Sequence, residues 1–423
     1  MDYLSRVVDG EISELLGSLA AVSIEGPKGV GKTATARRIA KTIRELDDPA
    51  VQAIANADVQ QILKGDKPVL LDEWQRVPST WDAVRRSVDA NSAPNQFLLT
   101  GSASPSVAPT HSGAGRMVTV RMRPLALSER KIAKPSVSLA DLLRGQRKNV
   151  SGDTTFGLTG YVEEIVRSGF PGIRLLNGRA LRAQLDGYLM RIVDRDFQEQ
   201  GLNVRNPEGL RRWMAAYAAA TATTASFETI RDASTGGQGN KPAKTTVQPY
   251  RDILERLWIL DDIPAWIPTK NHLKGLAQPP KHHLADPALA VRLLGLSEEA
   301  LLNAEESPHP IPRDGTLLGC LFESLVTLSI RVLAQALEAN VKHLRTKGGQ
   351  HEVDLIVERA DGKILALEVK LSASIQDEDV RNLKWLRGKI GDDLLDAVVI
   401  NTGPKAYRRP DGIAVIPAAL IGL

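Results

Sequence analysis

Eight consecutive residues, Gly26-Pro-Lys-Gly-Val-Gly-Lys-Thr33, carry the most specific chemistry in the chain. They satisfy GxxxxGK[ST] without a mismatch. Glycines at this spacing let backbone N–H groups close around a phosphate where side chains would clash. The expected cradle is Gly26, Pro27, Lys28, Gly29, Val30, Gly31, Lys32, Thr33 and Ala34. In it Lys32 reaches the β- and γ-phosphates of ATP, and Thr33 offers its hydroxyl to Mg²⁺. An apolar strand at residues 21–24 leads in, and helix formers at 34–41 follow, so a helix N-terminus faces the anion.

A second strand, Lys67-Pro-Val-Leu-Leu-Asp-Glu-Trp74, ends in two acids. Asp72 fits the role of holding Mg²⁺ through its water shell, and Glu73 that of orienting the attacking water. A third strand, residues 96–102, ends in hydroxyls. In an ATPase core it lies between the other two, which makes Thr100 and Ser102 both candidates for contact with the γ-phosphate or the water. Arg116 follows the flexible run His111-Ser-Gly-Ala-Gly. It reads either as an arginine finger acting across a subunit interface or as a solvated arginine.

Near the other end, His351-Glu-Val-Asp-Leu-Ile-Val-Glu-Arg359 and Lys363-Ile-Leu-Ala-Leu-Glu-Val-Lys-Leu371 alternate like strands around Ala360-Asp-Gly. Asp354 with Glu368-x-Lys370 is the pattern of PD-(D/E)XK nucleases, and Glu323 joins from a preceding helix. Asp354 and Glu368 would hold Mg²⁺, and Lys370 would position a water or offset phosphate charge. The geometry sets a condition. A two-residue Asp-Gly turn would put Asp354 opposite Val369, on the wrong face. A three-residue loop with Gly362 as a G1 bulge pairs Arg359 with Lys363 and brings Asp354 opposite Glu368. Cleavage is a separate question, since such modules also bind DNA without cutting it.

Between these sites, residues 205–263 read as helix, loop, helix and strand, the order of a winged helix. Ser226 caps the first short helix, and the recognition helix begins near Thr245. Lys241, Lys244, Thr245, Thr246, Gln248 and Arg251 suit DNA phosphates or bases. Winged helices also bind proteins, so a protein partner is the alternative. Arg144, Arg147 and Lys148 either touch phosphate or belong to a solvated linker.

GPKGVGKT, VLLDEWQRVP, FLLTGSAS, the GAGR loop and RPLALSE (Arg123 to Glu129), in this order, resemble the AAA-type ATPases that end in a DUF4143 domain. Gly169-Phe-Pro171, Tyr188 and the Arg195-Asp196 pair extend the resemblance over nearly the whole chain. It implies an α/β AAA+ core. Trp74 departs from the aliphatic residue more usual there, which bears on packing and not on the acids beside it.

The 423 residues, 25% charged and 43% hydrophobic, exclude a disordered or fibrous chain. Lys plus Arg number 54 against 50 acids, a net charge of +4, so any DNA site is a local patch rather than a basic coat. A single cysteine, Cys320, excludes a disulfide framework and a cysteine-rich zinc site. Seven scattered histidines show no metal spacing. Glu323 and Arg331 interrupt the longest apolar region, so no membrane span and a cytoplasmic setting are expected.

The expected fold is α/β in three parts: an AAA+ P-loop ATPase over 1–135, a linker with a helical, winged-helix region over 136–310, and a restriction-endonuclease-like module over 311–423. The function this implies is an ATP-hydrolysing, DNA-binding protein acting on duplex or branched DNA. The rivals are an antitoxin-like or defence-associated switch with a protein partner, and an ATP-dependent, Mg²⁺-dependent nuclease. A homo-oligomer is compatible with the arginine finger.

Overall fold

The computed structural model describes residues 3–102, 114–146, 150–235, 243–268, 278–302 and 316–423. Five parallel strands form the N-terminal sheet: β1 (Ala21–Glu25), β2 (Thr42–Glu45), β3 (Val69–Asp72), β4 (Phe97–Gly101) and β5 (Met117–Arg121), in the order β2-β3-β4-β1-β5. The hydroxyl-ended strand β4 therefore lies between β1 and β3, as the sequence reading requires. Parallel strands covered on both faces read as continuous apolar runs, and β3 and β4 are buried throughout. Leu70 and Leu98 point into one core, and Val69, Leu71, Phe97 and Leu99 into the other. Helices α1 (Val8–Ser18), α2 (Lys32–Ile39) and α3 (Ser79–Ala90) flank the sheet. Trp74 is buried against Trp81, with ring centroids 4.6 Å apart.

The stretch that reads as a linker does structural work elsewhere. Strand β6 (Val137–Ser138) pairs with residues 421–422, and helix α4 (Leu139–Leu143) packs on the C-terminal sheet. Strand β7 (Gly152–Asp153) pairs with residues 405–406. The expected boundaries at 135 and 310 thus do not separate this stretch from the third module, which is discontinuous in sequence. Two-residue strands are too short for side-chain alternation to announce them.

The middle is helical: α5 (Leu158–Arg167), α6 (Gly178–Arg191), a π-helical turn at Ile192–Asp196, α7 (Pro207–Ala219), α8 (Phe227–Ala233) and α9 (Lys244–Arg256). The Ser226 side chain caps α8, as its sequence predicts. Two antiparallel bridges follow α9, Leu260 with Leu284 and Ile263 with Lys281. Helix α10 (Pro287–Leu293) closes the region with five of its residues buried.

The third module runs α11 (Thr316–Gln335), β8 (Asn340–Arg345), β9 (Glu352–Glu358), β10 (Ile364–Val369), α12 (Arg381–Ile390), β11 (Leu394–Asn401), β12 (Lys405–Arg408), β13 (Ala414–Pro417) and β14 (Ile421–Gly422). Its main sheet has the order β7-β12-β13-β11-β10-β9-β8. Strands β8, β9 and β10 form an antiparallel meander, and β11 runs parallel to β10. By length and composition α11 would cross a membrane. Here Leu321, Phe322, Leu325 and Ile330 are fully buried in the protein core.

One buried carboxylate ties the three parts together. Asp261 of the middle region meets Arg121 at 2.9 Å and Arg123 at 2.8 Å from the ATPase core, and Arg331 of α11 at 2.8 Å. Burial alone would raise the Asp261 pKa. The three guanidiniums outweigh it and hold the carboxyl well below the usual range.

Candidate functional site

The glycine loop follows β1 at the C-terminal edge of the parallel sheet, where α/β folds place ligands. Two glycines are required on steric grounds. A Cβ on Gly26 would sit 2.2 Å from the Met122 carbonyl oxygen, and Gly31 starts α2 with φ near 105°. Lys32 is 5% exposed, and its ammonium donates to the carbonyls of Gly26 at 2.8 Å and Pro27 at 2.9 Å. The Thr33 hydroxyl donates to Asp72 Oδ1 at 2.8 Å, and Thr100 donates to the same oxygen. Glu73 accepts from Gln75 Nε2 at 2.5 Å and from the Ser102 hydroxyl at 3.3 Å. The strand ends thus bring Lys32, Thr33, Asp72, Glu73, Thr100 and Ser102 to one edge.

This cradle fits ATP with Mg²⁺. Backbone N–H groups at the start of α2 face the phosphate position, and the Thr33–Asp72 pair supplies the hydroxyl and carboxylate that a hydrated Mg²⁺ takes. Bound there, Mg²⁺ would neutralise charge on the phosphates.

Burial pulls the Lys32 pKa down to about 8, against the opposing pull of Glu73, Asp72 and Glu25 and with the help of Lys28. The ammonium therefore loses its proton as pH rises through that value. Between pH 7.5 and 9 the protonated fraction falls from about 0.8 to about 0.1, so ATP affinity should drop roughly eightfold. Calorimetric titration at the two pH values checks this, and Lys32→Met should flatten the profile.

The middle region grips the same loop. Lys28 Nζ reaches Asp196 Oδ1 at 2.6 Å and Glu199 Oε2 at 3.1 Å, and the Tyr188 hydroxyl donates to the Lys28 carbonyl at 3.1 Å. Glu199 also meets Arg195 at 3.2 Å and Arg76 at 3.5 Å. The π-helical turn presents Asp196 to Lys28; such turns recur where a helix serves a site. A cleft of about 520 Å³ runs alongside, lined by Lys28, Gly29 and Arg76 opposite Tyr188, Arg191 and Arg195. Arg6 braces the loop from the other side, donating to the Val30 carbonyl at 3.0 Å.

Arg116 does not join this edge. Met117 pairs with Ala21, the first residue of β1, so Arg116 lies at the opposite end of the sheet. It is exposed and bound to Asp89 at 2.7 Å. Within its own chain it is no finger for the loop, because a five-residue strand, roughly 16 Å, intervenes.

In the third module the hairpin takes the three-residue form. Arg359 N donates to Lys363 O at 2.9 Å, and Gly362 has φ near 81°. Leu355 and Leu367 are the last pair of this ladder, and Asp354 and Glu368 are the next residue on each strand. Lys370 Nζ lies 2.7 Å from Glu368 Oε1, and Val369 N donates to Asp354 Oδ2 at 2.8 Å. Two residues absent from the sequence reading complete the cluster. Lys281, 1% exposed at its side chain, lies 2.8 Å from Glu323, 3.2 Å from Glu352 and 3.2 Å from Asp354. Burial raises the Glu323 pKa to about 8, with Asp354 adding to it and Lys281 opposing. Burial and Asp354 likewise raise Glu368, against Lys370. Burial would lower Lys281, but Glu323, Asp354 and Glu352 outweigh it and hold it above the ordinary lysine range.

The pair Asp354 and Glu368 does not fit Mg²⁺ as folded. An ammonium already sits among the carboxylates, and Asp354 spends its other oxygen on Val369 N. Among the described residues no group of three or more His, Cys, Asp or Glu side chains is arranged to hold a metal ion.

Of the candidate DNA contacts, Lys241 lies outside the described residues, as do Arg147 and Lys148. Lys244, Thr245, Thr246 and Gln248 are exposed on the first turns of α9. Lys244 pairs with Glu228, Gln248 donates to Asp252 at 2.7 Å, and Arg251 pairs with Glu255 at 2.6 Å. Arg144 pairs with Asp141 at 2.6 Å.

The fold and this edge define a P-loop ATPase of the AAA type. Residues 19–131 match the AAA domain, and residues 318–421 match the domain of unknown function DUF4143. Residues 158–300 match a further domain of unknown function, DUF8612. The Gly169-Phe-Pro171, Tyr188 and Arg195-Asp196 signals therefore fall in this middle domain and not in DUF4143. The uncharacterized proteins Mb2031c of Mycobacterium bovis and Rv2008c of Mycobacterium tuberculosis are each 25% identical over 407 residues, covering 94% of this chain and 80% of theirs. The Walker-type ATPase PABY2304 of Pyrococcus abyssi is 16% identical with a TM-score of 0.37, over 69% of this chain and 96% of that one.

Proposed function

We propose that this ATPase couples its nucleotide state to the engagement of DNA, duplex or branched, through its middle and C-terminal modules. The observation that carries this is the C-terminal element order. A helix, three antiparallel strands, a helix and a parallel strand set Asp354 and Glu368 one step beyond the last paired residues, Leu355 and Leu367, and close enough to interact, with Lys370 two residues after Glu368. That order and those residues are the pattern of PD-(D/E)XK modules, whose ligand is the nucleic-acid backbone. The preference for branched DNA rests on fold analogy with junction resolvases. Helices α7, α8 and α9 followed by an antiparallel bridged pair support a winged helix, with Thr245, Thr246 and Gln248 on its open face.

At the nucleotide, Lys32 holds the β- and γ-phosphates and Thr33 with Asp72 the Mg²⁺. Glu73 orients the water, with Thr100 and Ser102 fixing the acids. Asp196 and Glu199 on Lys28 give the middle region a direct reading of the loop. Arg116 would act only across a subunit interface, in a homo-oligomer. A cytoplasmic protein suits this reading.

The test is the ATPase rate without DNA and with single strand, duplex or four-way junction, with Lys32→Ala as control and Glu368→Ala alongside. Stimulation of severalfold or more by junction over duplex is expected. No change with any DNA at moderate salt sinks the DNA reading. A protein partner is the second reading, favoured by the pairing of Lys244 and Arg251 with Glu228 and Glu255, which leaves the α9 face less basic. It predicts DNA affinity no better than for any polyanion.

A further inference from the structure

In the third-module cluster, the three carboxylates around Lys281 come from two elements and the ammonium from a third. Glu352 and Asp354 stand two residues apart on β9 and so share a face, and Glu323 comes from α11. Lys281 comes from the middle region. Its backbone is held by one antiparallel bridge to Ile263, with N donating to Ile263 O at 2.9 Å and O accepting from Ile263 N at 3.0 Å. The side chain therefore enters the cluster from a residue held in a backbone bridge. Its ammonium lies within 3.2 Å of all three carboxylates, at the point where they converge. One acceptor is left over: Glu368 Oε2 is buried and makes no hydrogen bond.

A divalent ion serving Asp354 and Glu368 needs oxygen ligands with free lone pairs, at about 2.0–2.1 Å for Mg²⁺. Lys281 takes one oxygen each of Glu323, Glu352 and Asp354, and its charge repels a second cation. Burying a lysine is costly unless carboxylates surround it, so the ammonium is held in place as firmly as it holds them.

We propose that Lys281 is the resident cation of the C-terminal acidic site, standing where a divalent metal would bind, so that the folded protein takes no metal there and does not cleave DNA by a metal-dependent route. The site keeps the residue pattern of a nuclease with its cation position filled from the middle domain. This is independent of DNA binding, and its test contains no DNA.

The test is Mn²⁺ binding followed by electron paramagnetic resonance, without nucleotide, on the full chain carrying Asp72→Asn to silence the P-loop. With Lys281 intact, no Mn²⁺ binding that depends on Glu368 is expected at sub-millimolar concentration. Lys281→Met should tighten the Mn²⁺ Kd at least tenfold, and adding Glu368→Gln should abolish the gain. A folded Lys281→Met protein with no gain would overturn the proposal and leave Lys281 a structural ion pair. Tight binding with Lys281 intact, lost on Glu368→Gln, would overturn it as well. That second comparison decides the matter by itself if Lys281→Met fails to fold.

Discussion

Glu73→Gln should lower ATP turnover by about 100-fold or more while ATP binding persists. The expectation follows from how the backbone turns at the end of β3. Glu73 has φ 53° and ψ 42°, a left-handed conformation that costs a non-glycine residue roughly 1–2 kcal/mol. Strain of this kind collects at functional sites. The turn sends adjacent acids to different tasks: Asp72 to the Thr33 and Thr100 hydroxyls, Glu73 to Gln75 and Ser102. Glutamine keeps the size and the strain and removes only the negative oxygen, so the variant isolates the proposed water-orienting role. Phosphate release and fluorescent-nucleotide binding measured on the same preparation separate turnover from affinity. Turnover within about threefold of the parent would assign the water to another group. Gln75→Ala, which only frees the Glu73 carboxylate, should cost less.

Asp261→Asn should be the most destabilising single change, by about 3–5 kcal/mol. It removes the one carboxylate that Arg121, Arg123 and Arg331 all contact, in a site where Asp261 is 5% exposed. Because those arginines lie on two modules and the aspartate on a third, the loss should appear as separation of the modules before each melts. Limited proteolysis and the first calorimetric transition report this. The pH dependence has a fixed sign. The folded pKa of Asp261 is depressed, so its contribution is complete above the unfolded value near 3.9 and fades only as pH falls below it. The Asn variant should lack that acid-limb loss. A variant with the parent's first transition at pH 7 would show that the junction is not what holds the modules.

What was legible in the sequence was what is local. The P-loop, the two acids after β3 and the central place of β4 follow from motif spacing and from the demand that parallel strands be apolar throughout. The G1-bulged hairpin is the form that the nuclease pattern requires of the two turns the spacing allows, and it is the form observed. The place of Arg116 within its own chain is legible too: a residue just before a strand parallel to β1 lies at the end away from the loop after β1, which leaves a finger only across a subunit interface. Lys281 gave no signal. Between Pro280 and His282 it reads as a solvated lysine, and only packing across three domains buries it. Strands β6 and β7 were invisible because two residues carry no periodicity and their partners lie more than 250 residues on.

That last separation has a consequence for how the chain is made. All five strands of the ATPase sheet lie between residues 21 and 121, so this sheet can form while the rest is still being translated. Strands β6 and β7 emerge next but stay unpaired until residues 405–422 are synthesised. At about 5–20 residues per second, their edges wait for tens of seconds. The middle domain, residues 158–300, is synthesised in that interval, before the partners of β6 and β7 exist. Lys281 is likewise synthesised before Glu323, Glu352 and Asp354, the three carboxylates that meet its ammonium.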